Sequence, residues 1–284
     1  MTLVEAPPTP PAAAAAPRRR WRANPWDVPP LAFLALVAAM IIAPGLIAPY
    51  DPLQENPALP LAGPSLSHPF GTDYIGRDLL SRVIAGAGAT IAGSFIAVII
   101  GLLVGTVLGL LAAYFGRTTD SIISRIVDVL LSIPTLLLSI TIIVALGFGT
   151  VNAAIAVGVS SIAVFARLAR SEVLATRNLP FVEASEHLGA GHLTLLFRHV
   201  LPNSYSAVLS LAALQFGTAI LAIASLSFLG YGAQPPEPEW GLLISEGRNY
   251  INSAPGLVYF PSIAIVATVM SLSRLAHIVR KKVG

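Results

Sequence analysis

The chain has 284 residues, of which 55% are hydrophobic and only 11% are charged. Soluble domains carry about 25% charged residues, so this composition indicates a membrane protein. The net charge of +3 is too small to suggest nucleic-acid binding, and a sequence without cysteine excludes disulfides and thiolate chemistry.

The first 28 residues differ in composition from the rest, being rich in proline and alanine and then basic, as in APPTPPAAAAAPRRRWR. Such a segment buries too little apolar surface to fold, so we expect 1–28 to be a disordered basic cytoplasmic tail. A cleaved signal peptide is the alternative, because a basic run precedes an apolar one. The long apolar run and the poor cleavage site in IAPGLIAPYDP disfavour it.

Six apolar stretches follow, each long enough to cross a bilayer as a helix. They are 29–48, 88–114, 121–147, 150–170, 206–230 and 257–278. Helices are predicted because lipid offers the backbone no hydrogen-bond partner and the stretches lack the alternation of barrel strands. The predicted fold is an all-α membrane protein with a first helix over 29–48, a long loop over 49–87 and five helices within 88–280.

Basic residues are divided unequally between the two sides of this arrangement. With the amino terminus inside, 14 of the 17 lysines and arginines face the cytoplasm, and only Arg77, Arg82 and Arg248 face outward. This bias predicts cytoplasmic termini, an extracytoplasmic loop at 49–87 and a cytoplasmic loop at 171–205.

One apolar stretch carries small residues at every fourth position. These are Gly93, Ala97, Gly101, Gly105 and Gly109. Small residues on one helix face allow another helix to approach closely, so we predict a packing ridge in preference to a substrate path.

The interiors of the apolar stretches contain no Asp, Glu, Lys, Arg or His. Ion-coupled carriers keep such residues at membrane depth, so a secondary transporter is disfavoured. Gln215 is the residue we expect to line a translocation path, because a buried amide requires a partner or a watery cavity. No metal site is expected, since His187 and His192 lack a carboxylate at ligand spacing.

Two further expectations concern the ends of the apolar stretches. Trp240 and Tyr250, in the second outer loop over 231–256, are interpreted as interfacial belt residues. Asp128 lies three residues after Arg125, which predicts a local ion pair on the inner side of the membrane.

The cytoplasmic stretch EASEHLGAGHLTLLFRHVLP, residues 183–202, is unusually polar for its surroundings. It reads as two short helices joined by glycine. Pro180 suits the first helical turn, Glu183 lies near the positive amino end, and Gly189 suits the left-handed end of the first helix. A compact segment of this kind is either a docking site or an ordinary interfacial loop.

The spacing in this stretch resembles the EAA signature of ABC-importer permeases, in which E-A-A, G and L-P occur at fixed intervals. The matching residues are Glu183, Ala184, Ser185, Gly189, Leu201 and Pro202. Ser185 replaces the second alanine of the signature, and His199 occupies its isoleucine position. Both departures are mild.

Three other stretches carry the same resemblance. HPFGTDYIGRDLLSRVIAGA, RIVDVLLSIPTLLL and LSFLGYGAQPPEPEWGLLISEGRNYI are similar to the C-type permease of dipeptide, oligopeptide or nickel importers. The ending MSLSRLAHIVRKKVG lacks the NLLGDGLRD expected there, which leaves any role of the C-terminus open. The resemblance implies the type I ABC importer permease fold and a multi-pass location in a prokaryotic inner membrane.

The resemblance also implies a non-enzymatic subunit that works with a second, homologous permease, two ATPase subunits and an extracytoplasmic substrate-binding protein. Residues 183–202 would be the coupling segment, with Glu183 facing a basic residue of the ATPase and Ala184 allowing close contact. ATP and Mg²⁺ would bind the ATPases, because this chain has no G-x-x-x-x-G-K-[ST] loop and no cofactor of its own is expected.

The cargo expected from the resemblance is di- or oligopeptides. One alternative keeps the same machine but imports nickel complexes or other small solutes. An alternative of another class is a membrane scaffold or receptor that uses the cytoplasmic loop only to bind a partner.

Overall fold

The computed structural model describes residues 25–177, 179–180, 182, 185, 191, 198 and 201–283, without the side chains of 117, 201–207 and 279–283. Its helices are α1 (Val28–Ile42), α2 (Pro44–Ile47), α3 (Leu79–Phe115), α4 (Arg117–Ser132), α5 (Thr135–Leu146), α6 (Thr150–Arg177), α7 (Leu201–Phe228), α8 (Trp240–Gly247) and α9 (Gly256–Val283). Short 3-10 turns precede α1 at Pro25–Asp27 and follow α8 at Arg248–Tyr250.

Five helical segments among the described residues are long and apolar enough to cross a membrane, and there are six if α4 and α5 cross together. The predicted all-helical, multi-pass fold is therefore confirmed. The third predicted stretch, 121–147, is nevertheless not one helix, because α4 and α5 meet at a bend of 96°. Pro134 has no N–H to continue α4, and it holds Ile133 in an extended conformation with ψ of 129°.

The amino-terminal boundary differs from the prediction. Residues 25–28, expected to end a disordered tail, form the 3-10 turn and the start of α1. They are held because the Asp27 carboxylate lies 2.6 Å from Nη2 of Arg274 in α9. The rest of the predicted tail, 1–24, lies outside the described residues.

The predicted outer loop over 49–87 ends earlier, because α3 begins at Leu79. Asp78 caps this helix by accepting hydrogen bonds from Ser81, at 2.8 Å from its backbone nitrogen and 2.7 Å from its hydroxyl. The first turns of α3 contain the charged residue Arg82. They are therefore not recognisable as part of an apolar stretch, and the sequence predicts that the helix begins only at residue 88.

Two other boundaries shift. The first membrane helix, predicted over 29–48, ends at Ile42, because Pro44 cannot continue it and instead starts α2. The predicted cytoplasmic loop 171–205 is shortened at both ends by helical residues of α6 and α7.

The contact between α3 and α6 is the most extensive among the described helices. A Cβ atom on Gly105 would lie 2.5 Å from the carbonyl oxygen of Ile162, and one on Gly109 would lie 2.5 Å from that of Ala166. Only glycine allows the two backbones to approach so closely. All four glycines of the predicted ridge are buried: Gly93, Gly101, Gly105 and Gly109.

Candidate functional site

A cavity of about 300 Å³ lies between α5, α6 and α7 and is called the groove below. Half of the side chains that line it are polar and uncharged. They are Thr135, Ser139, Ser160, Ser161, Gln215 and Thr218. The other half are aliphatic, and none of the described lining residues is charged. The described lining of the groove can therefore form hydrogen bonds with a solute, but it presents no charged side chain to it.

Two buried serines connect the α5 and α6 walls of the groove. Their hydroxyl oxygens, on Ser139 and Ser160, lie 3.0 Å apart. Each oxygen also lies 2.9 Å from a carbonyl oxygen of its own helix, on Thr135 and Ala156 respectively. Because a hydroxyl has one hydrogen, one serine donates to its own helix while the other donates across the pair. These two walls are thus tied by a polar contact within the apolar packing.

Gln215 lines the groove from α7. The hydroxyl of Thr218 lies 2.9 Å from the backbone carbonyl of Gln215 and 3.3 Å from its side-chain oxygen. The amide nitrogen of Gln215 makes no hydrogen bond to a described residue. Its two N–H donors are therefore available to a solute in the groove.

Two ion pairs join α4 to the carboxyl-terminal half of α6. Asp120 accepts two hydrogen bonds from the Arg170 guanidinium, and Asp128 pairs with Arg167. The predicted local pair between Asp128 and Arg125 is therefore wrong. α4 packs against α6, which brings the Arg167 guanidinium to the Asp128 carboxylate, while Arg125 is exposed.

A buried charged cluster lies on the side predicted to be extracytoplasmic. Nε of Arg77 donates to Asp73 at 2.6 Å, and Nη2 of Arg82 donates to Glu246 at 3.0 Å. The side chain of Arg82 is fully buried. Two positive and two negative side chains offset one another, which makes their burial possible. The cluster joins the loop before α3, α3 itself and α8.

The start of α8 is held against α3 by two neighbouring residues. Glu239 accepts a hydrogen bond from Thr90 at 2.8 Å and caps α8 by accepting another from the Leu242 nitrogen at 3.0 Å. Trp240 is fully buried, and its indole nitrogen donates to the Val83 carbonyl at 2.8 Å. The interpretation of Trp240 as a membrane-belt residue is therefore wrong, since its ring packs inside the protein.

Comparison with known protein families identifies the family of this chain. Residues 105–284 match the model of a family described as binding-protein-dependent transport system inner membrane component. The chain belongs to this family. It is a multi-pass permease of the inner membrane.

Relatives of the permease match it over most of their length. The dipeptide transport system permease protein DppC of Alkalihalophilus pseudofirmus is 42% identical over 85% of this chain and 82% of its own. The glutathione transport system permease protein GsiD of Pectobacterium atrosepticum is 42% identical over 80% of this chain and 73% of its own. The GsiD protein of Escherichia coli O157:H7 is 41% identical, with 90% and 85% covered.

Solved structures support the fold of the permease. An inward-facing MetNI methionine ABC transporter chain matches with a TM-score of 0.62 at 19% identity, covering 72% of this chain and 98% of the other. A chain of an amino acid ABC transporter solved with histidines matches with a TM-score of 0.56 at 20% identity, covering 72% and 94%. The predicted type I importer permease fold is confirmed.

The predicted docking segment of the permease falls mainly outside the described residues. Its undescribed members are Glu183, Ala184 and Gly189. Ser185 has helical backbone and is half-buried, and Leu201 and Pro202 open α7. A proline at the second position of a helix costs no intrahelical hydrogen bond, because the first N–H groups have no partner there.

Sequence reasoning missed the charged cluster of the permease and the role of Glu239. The signal available was local: Asp78 and Glu239 each stand one residue before a helix and accept a backbone N–H three residues later. The contact between Arg82 and Glu246 leaves no such signal, because the two residues are 164 positions apart.

Proposed function

We propose that this permease carries di- or oligopeptides inward as one subunit of an ATP-driven importer. The main support for a peptide cargo comes from the names of the relatives of this permease. Permeases named for dipeptide and glutathione transport are 41–42% identical to this chain over 80–90% of its length. Glutathione is a tripeptide, so both names refer to short peptides.

The chemistry of the groove supports this cargo. A peptide presents N–H and C=O groups at every residue, whatever its side chains. The hydroxyls of Ser161 and Thr218 donate to carbonyl oxygens of their own helices, so their oxygens remain available as acceptors. The Gln215 amide supplies N–H donors, so together these groups can pair with both the N–H and the C=O of a peptide backbone. Without a fixed charge in its described lining, the groove has no strong attraction for one ionised group, which favours release as well as entry.

The partners proposed for the permease follow from where its surfaces lie. A second, homologous permease completes the path opposite α5, α6 and α7. One of the two ATPase subunits docks on residues 183–202 of this chain, where Glu183 faces a basic residue, and the other docks on the second permease. α6 ends at Arg177, shortly before this segment, and α7 begins at Leu201 within it. We therefore expect movement of a docked ATPase to be passed to two of the three groove walls. An extracytoplasmic binding protein delivers the peptide to the opposite face.

Uptake measurements test the cargo directly. Cells that lack this permease are compared with cells in which it is restored, and uptake of a radiolabelled dipeptide is followed. We expect uptake to depend on the permease and to be reduced by unlabelled dipeptides and glutathione. Nickel–histidine complexes should not compete. Competition by nickel alone would assign the permease to the alternative cargo, and uptake independent of the permease would count against transport of dipeptides.

A binding measurement separates transport from the scaffold alternative. The extracytoplasmic protein that copurifies with the assembled transporter is titrated with the same dipeptide, glutathione and nickel–histidine. Peptide binding together with peptide-stimulated ATP hydrolysis supports import. A complex that contains ATPases but shows no solute-stimulated hydrolysis supports a scaffold.

A further inference from the structure

The two ion pairs between α4 and α6 lie next to the groove. Asp120 is bonded to Arg170 through both carboxylate oxygens, at 2.5 and 2.7 Å, and Asp128 pairs with Arg167. Val164, which lines the groove, precedes Arg167 by three residues, or about one helical turn. The ion pairs therefore hold α4 to the part of α6 that immediately follows the groove wall.

The same helix leads to a second groove wall. α4 turns through 96° at Ile133 and Pro134 into α5. The first residues of α5 then line the groove: Thr135, Leu136 and Ser139. α4 is thus connected covalently to the α5 wall and by ion pairs to the α6 wall.

At its other end, α6 continues past these ion pairs to Arg177, just before the segment 183–202. Because α6 is one continuous helix, a displacement applied at Arg177 is carried along it toward the groove. A displacement passed to the end of α6 therefore reaches Arg170 and Arg167 first. It reaches α4 through these ion pairs and through the apolar contacts between the two helices.

We infer that Asp120 and Asp128 are positioning residues for transport. They fasten α4 to α6, so that ATP-driven movement of residues 183–202 displaces the α5 and α6 walls of the groove together. This inference rests on the proposed function, because it requires ATPases to act on that segment. Neither carboxylate lines the groove, and each acts through the helix that it holds.

The ion pairs are poorly suited to a purely structural role. The side chains of Asp128 and Arg167 are 64% and 60% exposed, and those of Asp120 and Arg170 are 28% and 36% exposed. Pairs at the protein surface contribute little to folding stability. Apolar packing already holds α4 in place, since Val127 is buried in a cluster with Ala163 and Ala166 of α6. Apolar contact is non-directional, whereas the ion pairs fix which residues of α4 and α6 stand opposite one another. Loss of an ion pair should therefore leave the fold intact and allow α4 to slide along α6.

The test uses the complete transporter, with its partner subunits, reconstituted in liposomes. Because the sequence has no cysteine, Leu136→Cys gives this chain a single thiol on the α5 wall of the groove. Its labelling by a maleimide is compared between the nucleotide-free and the ATP–vanadate-trapped states. The variants Asp120→Ala, Arg170→Ala and Asp128→Ala are made in this background, together with a charge-swapped pair that combines Asp120→Arg with Arg170→Asp.

We expect each single variant to reduce the vanadate-dependent change in labelling by about fivefold or more, with assembly and ATP hydrolysis within about twofold of the parent. The charge-swapped pair should restore the response. Arg125→Ala, on the exposed side of the same helix, is the matched control and should leave the response unchanged.

An unchanged response in Asp120→Ala and Asp128→Ala, or an assembled charge-swapped pair that restores nothing, would overturn the inference. Dipeptide uptake is measured in the same liposomes. Its absence from the parent protein would count against the proposed cargo, while the labelling response would still report the movement of α5.

Discussion

Arg82 of α3 and Glu246 of α8 form a buried ion pair, with Nη2 and Oε2 only 3.0 Å apart although the residues are 164 positions apart in the chain. Nη1 of Arg82 also lies 3.3 Å from the carbonyl oxygen of Pro52 and 3.4 Å from that of Pro236. One guanidinium thus joins both outer loops to α3. The two loops and α3 therefore form one packed unit on the side predicted to be extracytoplasmic.

Removal of Glu246 should destabilise this unit. Glu246→Ala leaves the Arg82 charge buried, and breaking a buried pair in this way costs about 3–5 kcal/mol. We expect the midpoint of thermal unfolding in detergent to fall by roughly 6 °C or more. Glu237→Ala, in the same loop but exposed, is the matched control and should leave the midpoint unchanged. Equal midpoints for the two variants would show that the pair is not needed for stability.

The spacing of α3 and α6 gives a second prediction. A Cβ atom on Gly105 would lie 2.5 Å from a carbonyl oxygen and 2.6 Å from the Phe165 Cβ, so Gly105→Ala must push the helices apart. Overpacking of this kind costs about 1–3 kcal/mol. Gly88→Ala, on the same helix, meets nothing within 4 Å and should raise stability by about 0.5–1 kcal/mol through better helix propensity. The two variants should therefore shift the unfolding midpoint in opposite directions, and a shift in the same direction would contradict the packing account.

The features that could be predicted from the sequence are those that arise from local patterns. Apolar stretches predicted six spans, because bilayer thickness sets their length. The described residues contain five such helices, or six if α4 and α5 cross together. The four-residue spacing of Gly101, Gly105 and Gly109 predicted a packing ridge, and these glycines lie at a helix contact. The spacing of residues 183–202 resembles the EAA signature, and this resemblance correctly predicted the family of the chain.

The features that could not be predicted depend on distant contacts. Arg82 lies within the first turns of α3, and its contacts with the Glu246 and Asp73 carboxylates explain how a charge is tolerated there. Trp240 looked like a belt residue because its buried partner, the Val83 carbonyl, is 157 positions away. The bend before Pro134 had a local signal in the proline itself, but the apolar residues on either side masked it.

Labelling of single cysteines tests the orientation of the permease. The 14-to-3 division of basic residues predicts that Ser185 faces the cytoplasm and that Ser253, which is exposed after α8, faces outward. An impermeant maleimide should label Ser253→Cys in intact cells or spheroplasts, and Ser185→Cys only in inverted vesicles. The parent chain, without cysteine, gives the background. Reversed labelling would place residues 183–202 where no cytoplasmic ATPase could reach them.

The last prediction concerns Glu183 and its role in coupling ATP hydrolysis to transport, which is separate from the choice of cargo. Its position in the EAA-like spacing predicts that it faces a basic residue of the ATPase. Truncating one partner of a hydrogen-bonded, desolvated charge pair at an interface costs about 2–5 kcal/mol. Glu183→Ala should therefore weaken copurification of the ATPase, or uncouple ATP hydrolysis from uptake, without changing which peptides compete.

Gln215→Ala is the counterpart variant, since Gln215 lines the groove and lies outside the docking segment. It should change the rate or selectivity of peptide uptake while ATPase copurification stays normal. The two variants are compared for copurification, peptide-stimulated hydrolysis and competition among dipeptides. Full assembly and coupling in Glu183→Ala would show that residues 183–202 form an ordinary interfacial loop. If Glu183 pairs with the ATPase, its removal must weaken either ATPase binding or the coupling of hydrolysis to uptake.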